Sequence, residues 1–209
     1  MGSSICTRTV VLVGMLALFQ IAGAPVTEAY TGGPVEAYVA GIEPTEHRVY
    51  YVLSFIDDSG RAPQVWFFDL DASDPTRATR ARSLERPEGS RPPEDGIISD
   101  AWLQFARRIE PLKGLRAFDL SIDLKADSAR ADTLAGGVPI PRYNAHVAVH
   151  AGRGSRELDL TMFCDTLIHV AGIFEIPGRS EFLIVLTYKG QAYYCELVDL
   201  PILIDGGSG

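Results

Sequence analysis

The sequence is poor in the residues that usually announce chemistry. Its 209 residues hold three cysteines, four histidines and two tryptophans, and its three lysines stand against sixteen arginines. No CxxC pair is present, which excludes a thioredoxin-type redox centre. No HExxH is present to place two imidazoles on one helical turn around zinc. Gly-x-Ser-x-Gly is also missing: Ser155 follows Gly154, but Glu157 stands where the last glycine belongs, so no nucleophile elbow is expected. Gly152-Arg-Gly154 leads into a strand rather than a helix and cannot cradle a phosphate. Net positive charge is lacking as well. A formal charge of −8 offers no basic footprint for nucleic acid and disfavours anionic membrane surfaces. Beyond the N-terminal region no apolar run reaches the roughly 20 residues that a membrane helix needs. No cofactor and no metal are expected.

What is present begins with an address. Arg8 precedes the apolar run Val10–Phe19, and Ala22-Gly-Ala24 follows. A basic start, a short apolar core and a small-residue exit describe a secretory signal peptide. We expect residues 1–24 to be that peptide, with residue 29 as the alternative end, and the mature protein to be secreted or periplasmic. Removal of the peptide takes Cys6 with it and leaves Cys164 and Cys195. An even pair in an oxidising compartment is expected to form a disulfide.

The full sequence has 46% hydrophobic and 22% charged residues, enough apolar surface for a sizeable core. We expect residues 25–46 to form an N-terminal tail, with a short strand at Val35–Val39. Residues 47–204 are expected to form a single β-rich domain, and 205–209 a flexible end. The fold class expected is mainly β: an antiparallel sheet or sandwich, a β-meander, with one covering α-helix. Arg48–Ile56 and Gln64–Leu70 read as a hairpin around the turn Asp57–Gly60. Both strands are apolar on both faces, so the hairpin is expected to be covered.

This hairpin carries a resemblance. Tyr50-Tyr-Val-Leu53, Asp58-Ser-Gly60 and Val65-Trp-Phe-Phe-Asp-Leu-Asp71 resemble the middle hairpin of a β-propeller blade of the TolB-like periplasmic proteins. The resemblance implies blade-type strand pairing over residues 48–71. A propeller repeats its blade about four to eight times, and no second copy stands at a fixed spacing, so closure into a propeller is not expected.

Asp69–Asp95 is a polar, proline-containing loop. Asp69, Asp71 and Asp74 depart from the EF-hand spacing, so a solvated turn is expected there rather than a calcium loop. Ser99–Glu110 reads as the helix: Ser99 or Asp100 can cap it, Trp102, Phe105, Ala106 and Ile109 recur at helical spacing, and Pro111 stops it. Leu115–Leu124 alternates as a half-buried strand, and Ser128–Tyr143 is a second loop. From Asn144 to Asp199 we expect a meander. Its first hairpin turns over Gly152–Ser155, then come Leu167–Phe174, a turn at Pro177-Gly178, Phe182–Tyr188, a tight turn at Lys189-Gly190, and a return from Gln191 to Leu200 containing Cys195.

The candidate site lies on the polar face of the first meander hairpin. In a symmetric register Val149 faces Leu158, and His150 faces Glu157 within about 5 Å between Cβ atoms. A His–carboxylate pair can orient a general base or join a metal. Two functions follow. The leading one is a non-enzymatic binding protein whose partner is another envelope or extracellular protein. The alternative is a secreted metal-dependent hydrolase using His150, Glu157 and Asp159.

Overall fold

The computed structural model describes residues 34–56, 61–85, 99–116, 118–133, 138–191 and 195–206. All belong to one compact unit, residues 31–209. The expected signal peptide, Cys6, the Asp57–Gly60 turn, much of the proline-rich loop, Gly136-Gly137 and the last three residues lie outside them.

The chain forms β1 (Val35–Glu43), β2 (Arg48–Phe55), β3 (Gln64–Asp69), β4 (Ala78–Arg80), α1 (Asp100–Ala106) and β5 (Lys113–Gly114). There follow β6 (Leu120–Ala126), β7 (Arg130–Thr133), β8 (Pro139–Ala151), β9 (Gly154–Phe163), β10 (Ile168–Glu175), β11 (Glu181–Lys189) and β12 (Leu197–Asp205). One sheet has eight strands in the order β4-β3-β2-β1-β12-β11-β10-β5. In the other, β6 and β7 lie end to end along one edge of β8, and β9 pairs with its opposite edge. The expectation of a β-fold with one covering α-helix holds among the described residues, and the architecture is a sandwich. Ala145, Val147, Val149, Leu160 and Met162 of the smaller sheet interlock with Ile184, Leu186, Ile202 and Ile204 of the larger one.

The β2–β3 hairpin is covered on both faces, as its two-sided apolar pattern requires. Val49, Tyr51 and Phe68 pack with Leu183 and Leu203 on one side. Tyr50, Val52 and Val65 pack against Phe105 of α1 on the other. Ser99 caps α1 by accepting the Trp102 N–H, but the helix ends at Ala106, short of the expected Glu110. The reason lies in β1. A bulge puts Gly41 at φ 137°, and Ile42 then exchanges two backbone bonds with Glu110, of 2.9 and 2.8 Å. A Cβ on Gly41 would meet the Glu110 carbonyl oxygen at 2.2 Å. Glu110 is thus claimed by a sheet strand.

Three expectations are corrected. Residues 35–43 are an inner strand of the larger sheet, between β2 and β12, so much of the segment read as a tail is part of the fold. The meander is divided: β8 and β9 belong to one sheet, and β10, β11 and β12 to the other. The final strand does not return at Lys189-Gly190. Lys189 pairs with Leu197, Cys195 precedes the strand, and the strand runs on through Pro201–Ile204 to Asp205. Apolar matching decides this register, since it sets Leu183 opposite Leu203 and Ile184 opposite Ile202.

A proline inside a central strand needs an explanation. The Gly206 N–H donates to the Ser180 carbonyl, which continues the β11–β12 register. Even-numbered residues of β12 therefore direct their backbone groups to β11, and odd-numbered ones direct theirs away. Pro201 is odd, so its missing N–H removes no bond to β11. The same alternation turns the Leu203 carbonyl away from β11. Arg156 of β9 satisfies it, donating to Leu203 O and to Thr76 O at 3.0 Å each. Burial pushes the Arg156 guanidinium down from its ordinary pKa, and Asp74 and Tyr51 oppose that shift. At the β1 seam the paired residues are Val35 and Val198, and the Asp199 carboxylate accepts from the Ala37 N–H and the Thr187 hydroxyl. Arg156→Met keeps most of the apolar stem and strips both carbonyls of their donor. It is expected to cost about 2 kcal/mol, read from the urea midpoint at constant m.

Cys164 and Cys195 are bridged, with Cα atoms 5.9 Å apart. Cys164 follows β9 and Cys195 precedes β12, so the bridge ties the smaller sheet to the larger. Among the described residues no helix is long and apolar enough to cross a membrane.

Candidate functional site

The β8–β9 hairpin turns over Gly152-Arg153, since Ala151 pairs with Gly154. Gly152 has φ 60°, the positive value that a two-residue hairpin with glycine first requires. The expected loop over Gly152–Ser155 is thereby shortened, and the register moves by two residues. Each side chain keeps its face but changes its partner. Val149 lies opposite Arg156, Ala148 opposite Glu157, His146 opposite Asp159 and His150 opposite Ser155. The expected His150–Glu157 pair is not formed.

Two separate pairs stand in its place. His146 Nδ1 lies 3.0 Å from Asp159 Oδ1, and its Nε2 lies 3.9 Å from Glu157 Oε2. His150 Nε2 lies 3.3 Å from Asp123 Oδ2 on β6. The two histidines are four residues apart on one strand, about 13 Å along it, and do not converge. Their side chains are 47% and 43% exposed, and Asp159 is 91% exposed. Water competes for every one of these groups, so each pair contributes at most about 1 kcal/mol and orients no base firmly. Among the described residues no three His, Cys, Asp or Glu side chains gather as a metal would require.

The surface itself is well defined. Ser121, Asp123 and Lys125 of β6, His146 and His150 of β8, and Glu157 and Asp159 of β9 all face outward. Val147, Val149 and Met162 point inward and are fully buried. A depression of about 410 Å3 opens on this side, lined by Lys125, Asp127, Asn144, His146, Asp159 and Thr161 among others.

A second constellation carries no signal in the sequence. His47, in the β1–β2 turn at φ 50°, places Nδ1 2.6 Å from Asp71 Oδ2. Arg179, from the β10–β11 turn, donates to the other Asp71 oxygen. The bond from His47 first, and then that from Arg179, hold the Asp71 carboxyl below its ordinary pKa. At the end of β1, Glu43 is buried. Burial pushes its carboxyl up, but the Thr45 hydroxyl, the Glu46 amide and the Arg108 charge together hold it below the ordinary value. His47 and Arg179 border a cleft of about 430 Å3 that Ile42, Leu70 and Glu110 also line. A carboxylate on Nδ1 leaves Nε2 for other work, but no Ser, Thr or Cys lines this cleft. These residues lie 24 and 108 positions apart, too far for spacing to reveal them. The aspartates once weighed as a calcium loop are engaged elsewhere: Asp69 with Arg48, Asp71 as described, and Asp74 with Thr76.

No family model, no curated protein and no solved structure matches this chain.

Proposed function

We propose that this protein is a non-enzymatic binding protein of the cell envelope or extracellular space. It takes another protein on the outer face of β6, β8 and β9. The observation that carries this reading is the division of those strands, apolar and buried inward but exposed, charged and weakly paired outward. The outward side holds Asp119, Asp123, Asp127, Glu157 and Asp159 against Lys125 and Arg142. An acidic, exposed surface is complementary to a basic protein surface, whereas small substrates are held in largely apolar sites and the depression on this side is lined mostly by polar residues. The Arg8–Ala24 pattern supports export, and the Cys164–Cys195 bridge fits an oxidising compartment.

The test is affinity capture of the tagged chain from its own envelope fraction, beside a variant carrying Asp123→Lys and Asp159→Lys. The expected result is a stoichiometric protein whose recovery falls at least about tenfold in the variant, since like charges at an interface cost several kcal/mol. Equal recovery by both chains would remove the face from the reading. A purified protein carrying one equivalent of metal, lost in His146→Ala, would shift the reading to the hydrolase.

A further inference from the structure

We propose that β6 is a self-association edge, through which a second copy of this chain pairs antiparallel and continues the smaller sheet. The proposal uses the rim of the sheet and does not depend on what its face binds.

The free rim follows from two backbone bonds. The Gly152 N–H donates to the Asp119 carbonyl at 3.2 Å, and the Asp127 N–H donates to the Asn144 carbonyl at 3.0 Å. Both residue pairs fall in the same register as Leu120↔Ala151 and Ala126↔Ala145. Odd-numbered residues from Asp119 to Asp127 therefore spend their N–H and C=O groups on β8, and even-numbered ones aim theirs outward. Leu120, Ile122, Leu124 and Ala126 present a row of donors and acceptors that no described strand takes up. The side chains of Leu120, Ile122 and Leu124 point into the core, yet remain only half-buried, while Val147, Val149 and Ala151 beside them are fully buried. A neighbouring strand would cover them.

Charge then selects the occupant. Antiparallel self-pairing must set outward-aiming residues opposite one another, so the two-fold axis can pass through Ile122, Asp123 or Leu124. Centred on Ile122, Lys125 lies opposite Asp119 of the second copy, twice by symmetry, and Asp123 lies opposite Ser121. Centred on Leu124, Lys125 lies opposite Asp123, again twice. Only the Asp123-centred register sets carboxylate against carboxylate. In the two favourable registers the core side pairs Ile122 with Ile122 and Leu120 with Leu124, or Leu124 with Leu124 and Ile122 with Ala126.

The other rim behaves oppositely. The Cys164 N–H donates to the Pro141 carbonyl, so even residues of β9 bond β8, and Ser155, Glu157, Asp159 and Thr161 aim outward. The registers centred on Glu157, Leu158 and Asp159 each set acid against acid. Like charges directly opposite destabilise a pair, and charged edges discourage pairing. One rim is guarded against a second copy, and the other is complementary to it.

Sedimentation of the purified chain over a wide concentration range tests this. A monomer–dimer equilibrium is expected. Lys125→Glu turns two attractive cross-strand pairs into repulsive ones and is expected to weaken dimerisation about tenfold. Adding Asp119→Lys to Lys125→Glu restores the dimer if the axis passes through Ile122, and adding Asp123→Lys restores it if the axis passes through Leu124. Ala126→Pro removes an outward N–H at an exposed position without touching a bond to β8, and is expected to weaken the dimer while leaving the monomer folded by circular dichroism. A chain that stays monomeric at its highest concentration overturns the proposal. So does a dimer indifferent to both Lys125→Glu and Ala126→Pro.

Discussion

Gly154→Ala is expected to lower the unfolding free energy by at least about 3 kcal/mol. Gly154 closes the β8–β9 hairpin and opens β9 directly against Asp205 of β12. A Cβ there would stand 1.5 Å from the Asp205 carbonyl oxygen and 2.7 Å from its carbon. Neither obstacle is the movable end of a side chain. β12 is paired to β11 along its whole length, and β9 to β8, so neither strand can withdraw alone. The corner must open, weakening the Arg153–Gly206 backbone bond of 3.3 Å and drawing Arg156 off the Leu203 carbonyl. Urea denaturation beside Gly114→Ala checks this. No atom lies within 4 Å of the added Cβ at Gly114, and that change is expected to stay within about 0.5 kcal/mol. Equal losses at the two glycines would show that close approach is not the cause.

The second large effect belongs to the disulfide. Cys164→Ala with Cys195→Ala is expected to cost about 3 to 4 kcal/mol, because the bridge closes a 31-residue separation in the unfolded chain. Both cysteines hold left-handed backbone, at φ 68° and 56°, which alanine tolerates poorly and glycine freely. The glycine pair is therefore expected to lose about 1 kcal/mol less than the alanine pair. Thermal melting with and without reductant provides the check. A melting temperature unmoved by reductant would mean that the bridge does not hold the native protein. Together the bridge and the Gly154–Asp205 approach clamp β9 to β12 at opposite ends, with Arg156 between them.

Much of the local structure was legible. The alternation through Leu120, Ile122 and Leu124 names the buried side of β6, although the strand begins later than the pattern did. Ser99 was readable as a cap because its hydroxyl needs only the amide three residues on. The Pro177-Gly178 turn lies where it was expected, with Gly178 at φ 72°. The helix end was not legible, because the competitor for Glu110 is Ile42, a residue with no local relation to it. The candidate pair failed for a related reason. A slip of two residues leaves His150 and Glu157 on the same face but exchanges their partners, so alternation cannot detect it.

The sequence by itself determined which residues turn inward, where the chain must bend, that Cys164 and Cys195 are the two cysteines to pair, and that the protein is built of strands around an apolar core. These are properties of period, turn chemistry and composition, and each is read over a few neighbours. Only the tertiary structure decided that the meander divides between two sheets, that β1 enters beside β12, that His150 meets Asp123 rather than Glu157, and that His47 and Arg179 converge on Asp71. Such choices compare distant segments that are equally good locally. They are settled by which pairing buries Ile184 against Ile202 and still leaves the Leu203 carbonyl with a donor.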